Sequence, residues 1–277
     1  MTTPFTIIAA TNFSAIADNA VTYAAELAKA TGAKLILFHS FSLTVHSANS
    51  LITAEGLQKQ ITKRTNKLEA IGEEVANLHN IEVSVICSYA FLEEQLSLII
   101  EETNANLVVM GMAERSLEQD ILGNSTTSVI KNLDIPVLAV PQNARFISAS
   151  KILYACDVLS LSAIKKFSWL RQIVETLGAE IEFFSIEGKL DNLKKEQEQI
   201  LLNTTIKEEF KEVKYIYKTV KSNAVISEIH KEIKYCNADI LVMAPRKYGF
   251  WDSLVHRSKT RIMAAGLHIP LLSFPNF

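Results

Sequence analysis

Asn104-Ala105-Asn106-Leu107-Val108-Val109-Met110-Gly111 returns 133 residues later as Asn237-Ala238-Asp239-Ile240-Leu241-Val242-Met243-Ala244. A second block, Asp134-Ile135-Pro136-Val137-Leu138-Ala139-Val140-Pro141, returns as His268-Ile269-Pro270-Leu271-Leu272-Ser273-Phe274-Pro275, at an offset of 134. Order, spacing and composition are kept together. The period is far longer than the roughly 20–50 residues of a solenoid unit and fits a whole domain copied once. A chain of 277 residues holds two such domains, each long enough to bury its own core. The expected domains are residues 1–145 and 149–277, joined through Gln142 to Ser150.

Working outward from the repeat, short apolar runs alternate with helical patterns. Phe5 to Ala10, Lys34 to His39, Ile81 to Cys87, Leu107 to Met110 and Val137 to Val140 read as buried strands. Between them, Thr11-Asn12-Phe13-Ser14 offers capping chemistry, and Ala17, Ala20, Val21, Ala24, Leu27 and Ala28 fall at helical spacing up to Gly32. Gly56 to Leu78 and Leu92 to Glu102 are further helices. The second half repeats the plan, with strands at Ile152–Cys156, Glu180–Ser185, Val213–Val220, Ile240–Met243 and Leu271–Phe274. Helices are expected there over Leu161–Leu177 and Leu190–Leu202. The Lys/Glu-rich run from Lys189 to Lys218 is either an interaction arm or the solvated face of an amphipathic helix. Strictly alternating strands and helices argue for an α/β fold with a parallel sheet covered on both faces.

Composition narrows the function classes. A net charge of −2 gives no general attraction to nucleic acid or to a membrane surface. Cys87, Cys156 and Cys236 are odd in number and widely spaced, so they read as buried thiols in a reducing compartment. No stretch reaches the roughly 18 apolar residues of a spanning helix, so a cytoplasmic location is expected. His39 and His46 flank a cleft without a third ligand at metal spacing, and no nucleophile elbow is present. Trp169 is expected in the core, while Phe250 and Trp251 either cover a closed site or form a contact patch.

In an open parallel sheet, ligands bind beyond the carboxyl ends of the strands, where the strand order switches. Ala10-Thr11-Asn12, His39-Ser40 and the segment from Gly111 onward converge on that edge. After Gly111 comes a polar loop, then Gly123-Asn124-Ser125-Thr126-Thr127 opening a helix. Glycine admits close approach of a phosphate, and helix N-terminal N–H groups favour an anion. The same residues are also ordinary helix caps, and the segment alone leaves both readings open.

These residues resemble the universal stress protein family. The likeness is carried by Ile7-Ile8-Ala9-Ala10-Thr11-Asn12-Phe13-Ser14, Ala24-Ala25-Glu26-Leu27-Ala28, Gly32-Ala33-Lys34-Leu35, Val108-Val109-Met110-Gly111 and Ile135 to Pro141, and it extends into the second half through Ala238 to Met243 and Ile269 to Leu272. The resemblance implies two repeated domains, each a five-stranded parallel sheet with helices on both faces, Rossmann-like and akin to adenine nucleotide alpha hydrolases. It also implies a stress-response regulatory or binding protein rather than an enzyme.

ATP-binding members of the family carry G-x2-G-x9-G-[ST] after strand four. Gly111 matches the first glycine, Glu114 stands at the second, and Gly123 comes one residue early for the third. Asn124, Ser125 and Thr126 cover the hydroxyl position, Asn12 stands where the family has Asp, and Thr11 and Ser40 match positions near the base. A carboxylate at 114 repels phosphate, so the motif is degraded. The resemblance implies ATP in the first domain only, with Ala10, Thr11, Asn12, Ser40, Gly111, Gly123, Asn124, Ser125 and Thr126 around it and the metal unknown. In the second copy Asp157 matches the family's acidic position, but Ala244 replaces the first glycine and His256-Arg257-Ser258-Lys259-Thr260 replaces Gly123 to Thr127. Its Arg246, Lys247, Arg257 and Lys259 either attract an anion or are solvated surface charge. The alternatives are a nucleotide-independent interaction module and a weak ATPase. The family also implies association through the last strand, Val137–Val140 and Leu271–Phe274, as an internal pseudo-dimer or a homodimer.

Overall fold

The computed structural model describes residues 5–42, 53–112, 124–156, 164–187, 204, 206–243 and 268–275. The described residues up to Arg145 form one compact unit and those from Phe146 form another. In the first unit, β1 (Thr6–Ala10), β2 (Lys34–Phe41), β3 (Val83–Tyr89), β4 (Leu107–Met112) and β5 (Val137–Pro141) lie in the order β3-β2-β1-β4-β5. Every pairing is parallel. The central strand β1 is buried at every residue. Helices cover both faces of a parallel sheet, so its middle strand reads as a continuous apolar run rather than an alternation.

Among the described residues the helices of this unit are α1 (Ala15–Thr31), α2 (Ala54–His79), α3 (Leu92–Thr103) and α4 (Asn124–Asn132). α1 packs on β1, β4 and β5 and touches α2, which lies on β3. α3 and α4 touch each other and cover β2 and β4–β5 respectively. Ser14 caps α1, its Oγ accepting from the Ala17 N–H at 3.3 Å, and Gly32 closes it at φ 66°. All six alanine, valine and leucine positions read from the periodicity, Ala17, Ala20, Val21, Ala24, Leu27 and Ala28, are buried. Removing the cap by Ser14→Ala is expected to cost about 1 kcal/mol of the first unit's stability in urea unfolding.

The second unit contains β6 (Lys151–Cys156), β7 (Glu180–Glu187), β8 (Tyr215–Lys221), β9 (Ile240–Met243) and β10 (Leu271–Ser273) in the order β10-β9-β6-β7-β8, again parallel. Among the described residues its helices include α5 (Ile164–Leu177) and α6 (Val225–Cys236), with residues 206–209 also helical. A ring cluster of Phe167, Phe183 and Phe210, with centroids 5.1–6.3 Å apart, fills its core. The pattern reading does not anticipate α6. Val225, Ile226, Ile229 and Ile233 stand at helical spacing within it, and no side chain caps its start.

The repeated block has a physical job in both units. Asn104 and Asn237 close α3 and α6 in the left-handed region, each at φ 51°. Two residues on, Asn106 Oδ1 accepts from the Thr6 N–H at 2.8 Å, and Asp239 Oδ2 accepts from the Lys151 N–H at 2.9 Å. Each copy therefore stops a helix and clamps the start of the strand that follows onto the central strand. The motif recurs because the joint recurs.

Some expectations shift. β4 runs on to Met112, because Gly111 and Met112 pair with Val140 and Pro141, so Gly111 lies in the strand rather than after it. β3 starts at Val83 and ends at Tyr89, in register with Leu35 to Phe41. Cys87 and Trp169 are half-buried rather than core, while Cys236 is buried. Among the described strands Cys87 lies on the outermost one of its unit, β3. His46, Glu114, Gly123, Asp157, Leu190 to Leu202, Ala244, Arg246, Lys247, Phe250, Trp251 and His256 to Thr260 lie outside the described residues. Among the described residues, no helix is long and apolar enough to cross a membrane, and no cluster of three or more His, Cys, Asp or Glu could hold a metal.

Candidate functional site

The strand order β3-β2-β1-β4-β5 reverses between β1 and β4, and a reversal of this kind opens a crevice at the carboxyl edge of the sheet. Ala10 ends β1 in the buried layer. Thr11 is also buried, and its N–H donates to the Phe38 carbonyl at 2.8 Å, extending the β1–β2 ladder by one bond. Its Oγ1 accepts from the Phe13 N–H at 3.0 Å, while the exposed Asn12 uses Oδ1 to accept from the Ser14 N–H at 3.1 Å. These two short-range bonds hold Phe13 at φ 62°. That conformation costs a bulky residue of order 1–3 kcal/mol, so the loop around it must be firmly held.

On the other side of the reversal, Gly111 has no room for a side chain. A Cβ there would lie 2.7 Å from Ile16 Cγ2 and 2.8 Å from the Ile16 carbonyl oxygen. The glycine therefore lets α1 approach β4 closely. Thr126 is buried, and its hydroxyl donates to the Gly111 carbonyl at 3.1 Å. This bond ties the first turn of α4 to β4, and Ser125 beside it is exposed. Asn124 opens α4. Ser40 is half-buried near the end of β2, in register with Ser88. Of the residues expected at the site, Ala10, Thr11 and Asn12 thus gather on one side of the crevice and Gly111, Ser125 and Thr126 on the other.

His39, expected at the carboxyl edge with Ser40 and without a third ligand at metal spacing, has surroundings that residue order does not reveal. The ring is 5% exposed, and Nδ1 lies 2.8 Å from the Thr11 carbonyl oxygen. A carbonyl can only accept, so Nδ1 carries the proton and Nε2 presents a lone pair. Nε2 is buried and has no hydrogen-bond partner among the described residues. Burial lowers the His39 pKa; the Thr11 bond opposes that, and the positive charges of Arg64 and Lys67 add to the lowering. The imidazole is therefore neutral at pH 7.

Aromatic rings and cations surround it. Phe13 lies 4.2 Å from the His39 ring centroid, Phe41 stacks at 5.9 Å, and Tyr89 lies 5.4 Å beyond Phe41. From α2, Lys67 Nζ stands 4.3 Å over the Phe13 ring and the Arg64 guanidinium 4.2 Å over the Phe41 ring. Arg64 also donates to Gln60, and among the described residues neither cation pairs with a carboxylate. The three-residue spacing of Arg64 and Lys67 puts both on one helix face. What they face depends on the packing of α2 against the sheet, which residue types alone do not reveal.

The second unit differs at the equivalent places. Strand register equates Thr6 with Lys151, Lys34 with Glu180 and Val83 with Tyr215. Ser185, wholly buried, thus replaces His39, so this copy has no imidazole there. Ile36, Ile86 and Ile99 of the first unit correspond to Glu182, Lys218 and Glu232. Lys218 Nζ donates to both Glu232 oxygens at 2.7 and 2.6 Å, and the two glutamates are 4% and 5% exposed. Burial pushes the Glu182 carboxyl up to about 7, helped by a hydrogen bond to Glu232 and by its charge, with Lys218 and Lys151 opposing. Burial also raises the Cys236 thiol on α6 to about 11.

Residues 5–141 match the model of the universal stress protein family. No curated protein matches the chain significantly. Among solved structures, the chain is similar to a universal stress protein from Archaeoglobus fulgidus, with a TM-score of 0.73, 14% identity and 98% of each chain covered. It is also similar to a functionally unknown protein from Pseudomonas aeruginosa, at 0.54 and 15% identity, covering 98% of this chain and 92% of that one. These two likenesses show a shared α/β fold. With the family's model spanning the first unit from β1 to β5, the chain belongs to the universal stress protein family.

Proposed function

We propose that this chain is a stress-response binding protein whose first unit takes an adenine nucleotide and whose second unit does not. The observation that carries the reading is the reversal of strand order between β1 and β4, with Thr11 and Asn12 following β1 and the start of α4 tied to Gly111 of β4. In this reading Ala10, Thr11, Asn12 and Ser40 line the base and ribose. The phosphates meet backbone N–H groups at Gly123, Asn124 and Ser125, where the open end of a helix favours an anion. The domains concerned are residues 1–145 and 149–277, and the protein acts by binding rather than by catalysis. Calorimetric titration with ATP is expected to show saturable binding that weakens in Gly123→Val. No heat at millimolar ATP would sink the reading.

A specific observation favours a second reading, a nucleotide-independent interaction module. Gly111 is accounted for by Ile16 alone, and the Thr126 hydroxyl is engaged with the Gly111 carbonyl. Neither then needs a phosphate to explain it. The two readings separate in thermal unfolding. A ligand held only by the folded state at a hundred times its Kd adds about 2.7 kcal/mol, so a rise in Tm with ATP favours the first. An unchanged Tm favours the second.

A further inference from the structure

We infer that Glu182 of β7, Lys218 of β8 and Glu232 of α6 form a proton-operated latch that holds α6 against the sheet of the second unit. The latch is closed while the two carboxyls share one proton, and losing that proton lets α6 lift. The device does not depend on any nucleotide bound by the first unit.

Three observations converge. First, the charges do not balance. Glu182 and Glu232 are 4% and 5% exposed, and the Lys218 ammonium spends its hydrogen bonds on the two oxygens of Glu232. Glu182 Oε1 is buried and has no hydrogen-bond partner among the described residues. A buried carboxylate without its own cation is costly, so Glu182 stays inside as a neutral acid hydrogen-bonded to Glu232. Second, the fold does not require these charges, because Ile36, Ile86 and Ile99 fill the corresponding places in the first unit. Third, the cover is thin. Lys218 is partly exposed and stands 4.4 Å over the ring of Tyr235, which is 78% exposed. The outer end of the cluster thus already lies at the surface.

The other groups facing Glu182 are Lys151 of β6 and Cys236 of α6. Lys151 and Lys218 both oppose protonation, but burial and Glu232 outweigh them. The Cys236 thiol, raised to about 11 by its burial, stays neutral and adds no charge. Glu182 titrates at about 7. Above that value two carboxylates compete for one ammonium, and their repulsion acts between β7 and α6. The far end of α6 runs into Asn237 and then Asp239, whose carboxylate holds the Lys151 N–H. That joint stays fixed, so the helix lifts about it while the strands remain paired.

The test is hydrogen–deuterium exchange of the full chain at pH 6 and pH 8, corrected for the intrinsic pH dependence of amide exchange. With Glu182 titrating at about 7 in the closed latch and at the ordinary 4.5 in the open one, the opening equilibrium should rise about tenfold across that interval. Amides of α6 should lose about tenfold in protection, and those of α3, the counterpart carrying Ile99, should show no such loss. Dilute urea should leave α6 exchange unchanged, because a local opening exposes little surface. Glu182→Gln, which keeps the shape of the neutral acid and can still donate to Glu232, should hold α6 equally protected at both pH values. Equal protection of α6 at pH 6 and pH 8 in the wild type would overturn the latch, and that measurement needs no variant to fold. Exchange of α6 that accelerates in urea as steeply as that of β9 would also overturn it, since the helix would then open only with the whole unit. So would a tenfold loss that persists in Glu182→Gln.

Discussion

Gly111→Val is expected to destabilise the first unit by about 3 kcal/mol. The new Cβ would sit 2.7 Å from Ile16 Cγ2, 2.8 Å from the Ile16 carbonyl oxygen and 3.0 Å from its carbon. A side-chain methyl can rotate away, but a carbonyl in the first turn of α1 cannot move without shifting the helix. α1 packs on β4, β1 and β5 at once, so that shift would spread through the core. Overpacking a tight core typically costs 1–3 kcal/mol, and backbone contacts place this site at the upper end. Valine's preference for strands, worth a fraction of that, does not compensate. Both tryptophans, Trp169 and Trp251, belong to the second half of the chain. Tryptophan fluorescence therefore follows the second unit, while far-UV circular dichroism follows both. In urea, the circular dichroism midpoint should fall while the fluorescence midpoint stays. An unchanged circular dichroism transition would show that α1 and β4 are not in close contact.

Particular residues show why some of this architecture is readable in the residue order and some is not. β1 and β9 are continuous apolar runs, because a strand covered on both faces requires little else. The ends of α1 are equally plain, since Ser14 and Gly32 satisfy chain-end N–H and C=O groups by local chemistry. In α6 the residues Lys231, Glu232 and Lys234 and the absence of a side-chain cap obscure the apolar stripe. The repeat itself predicts it, since α6 follows α3 at an offset of 133 residues. The surroundings of His39 are harder. Its partner is a backbone carbonyl of Thr11, and the cations arrive from residues 64 and 67 on a helix whose rotation is set by packing. Gly111 was legible as special, but its reason was not. Residue type announces that a Cβ is forbidden, and only the distance to Ile16 says what forbids it.

The largest effect expected in the second unit comes from its buried charges. Lys218→Met is expected to cost about 2–3 kcal/mol, because it removes the ammonium that donates to both oxygens of the buried Glu232. This is below the 3–5 kcal/mol of a fully buried broken pair, since the Lys218 side chain is 36% exposed. The combined variant Glu182→Ile, Lys218→Ile, Glu232→Ile should reverse the loss. Ile36, Ile86 and Ile99 fill the corresponding places in the first unit, so the fold accepts three isoleucines there. Replacing a buried ion group by apolar side chains of similar volume is often stabilising, by about 1–4 kcal/mol. The pH profile discriminates further. Glu182 titrates near 7 in the folded protein against an ordinary value of 4.5. The folded state therefore binds a proton that the unfolded state releases between those values. The stabilisation from that proton is complete below about 4.5, falls as pH rises towards 7, and is gone above it. Urea unfolding followed by tryptophan fluorescence should show stability declining across that interval in the wild type. The Glu182 contribution to that slope should be absent in the three-isoleucine variant, whose gain over the wild type would be greatest above pH 7. If the variant kept the wild-type slope, the titration would have to reside elsewhere. The two copies would then differ in charge without differing in their response to protons.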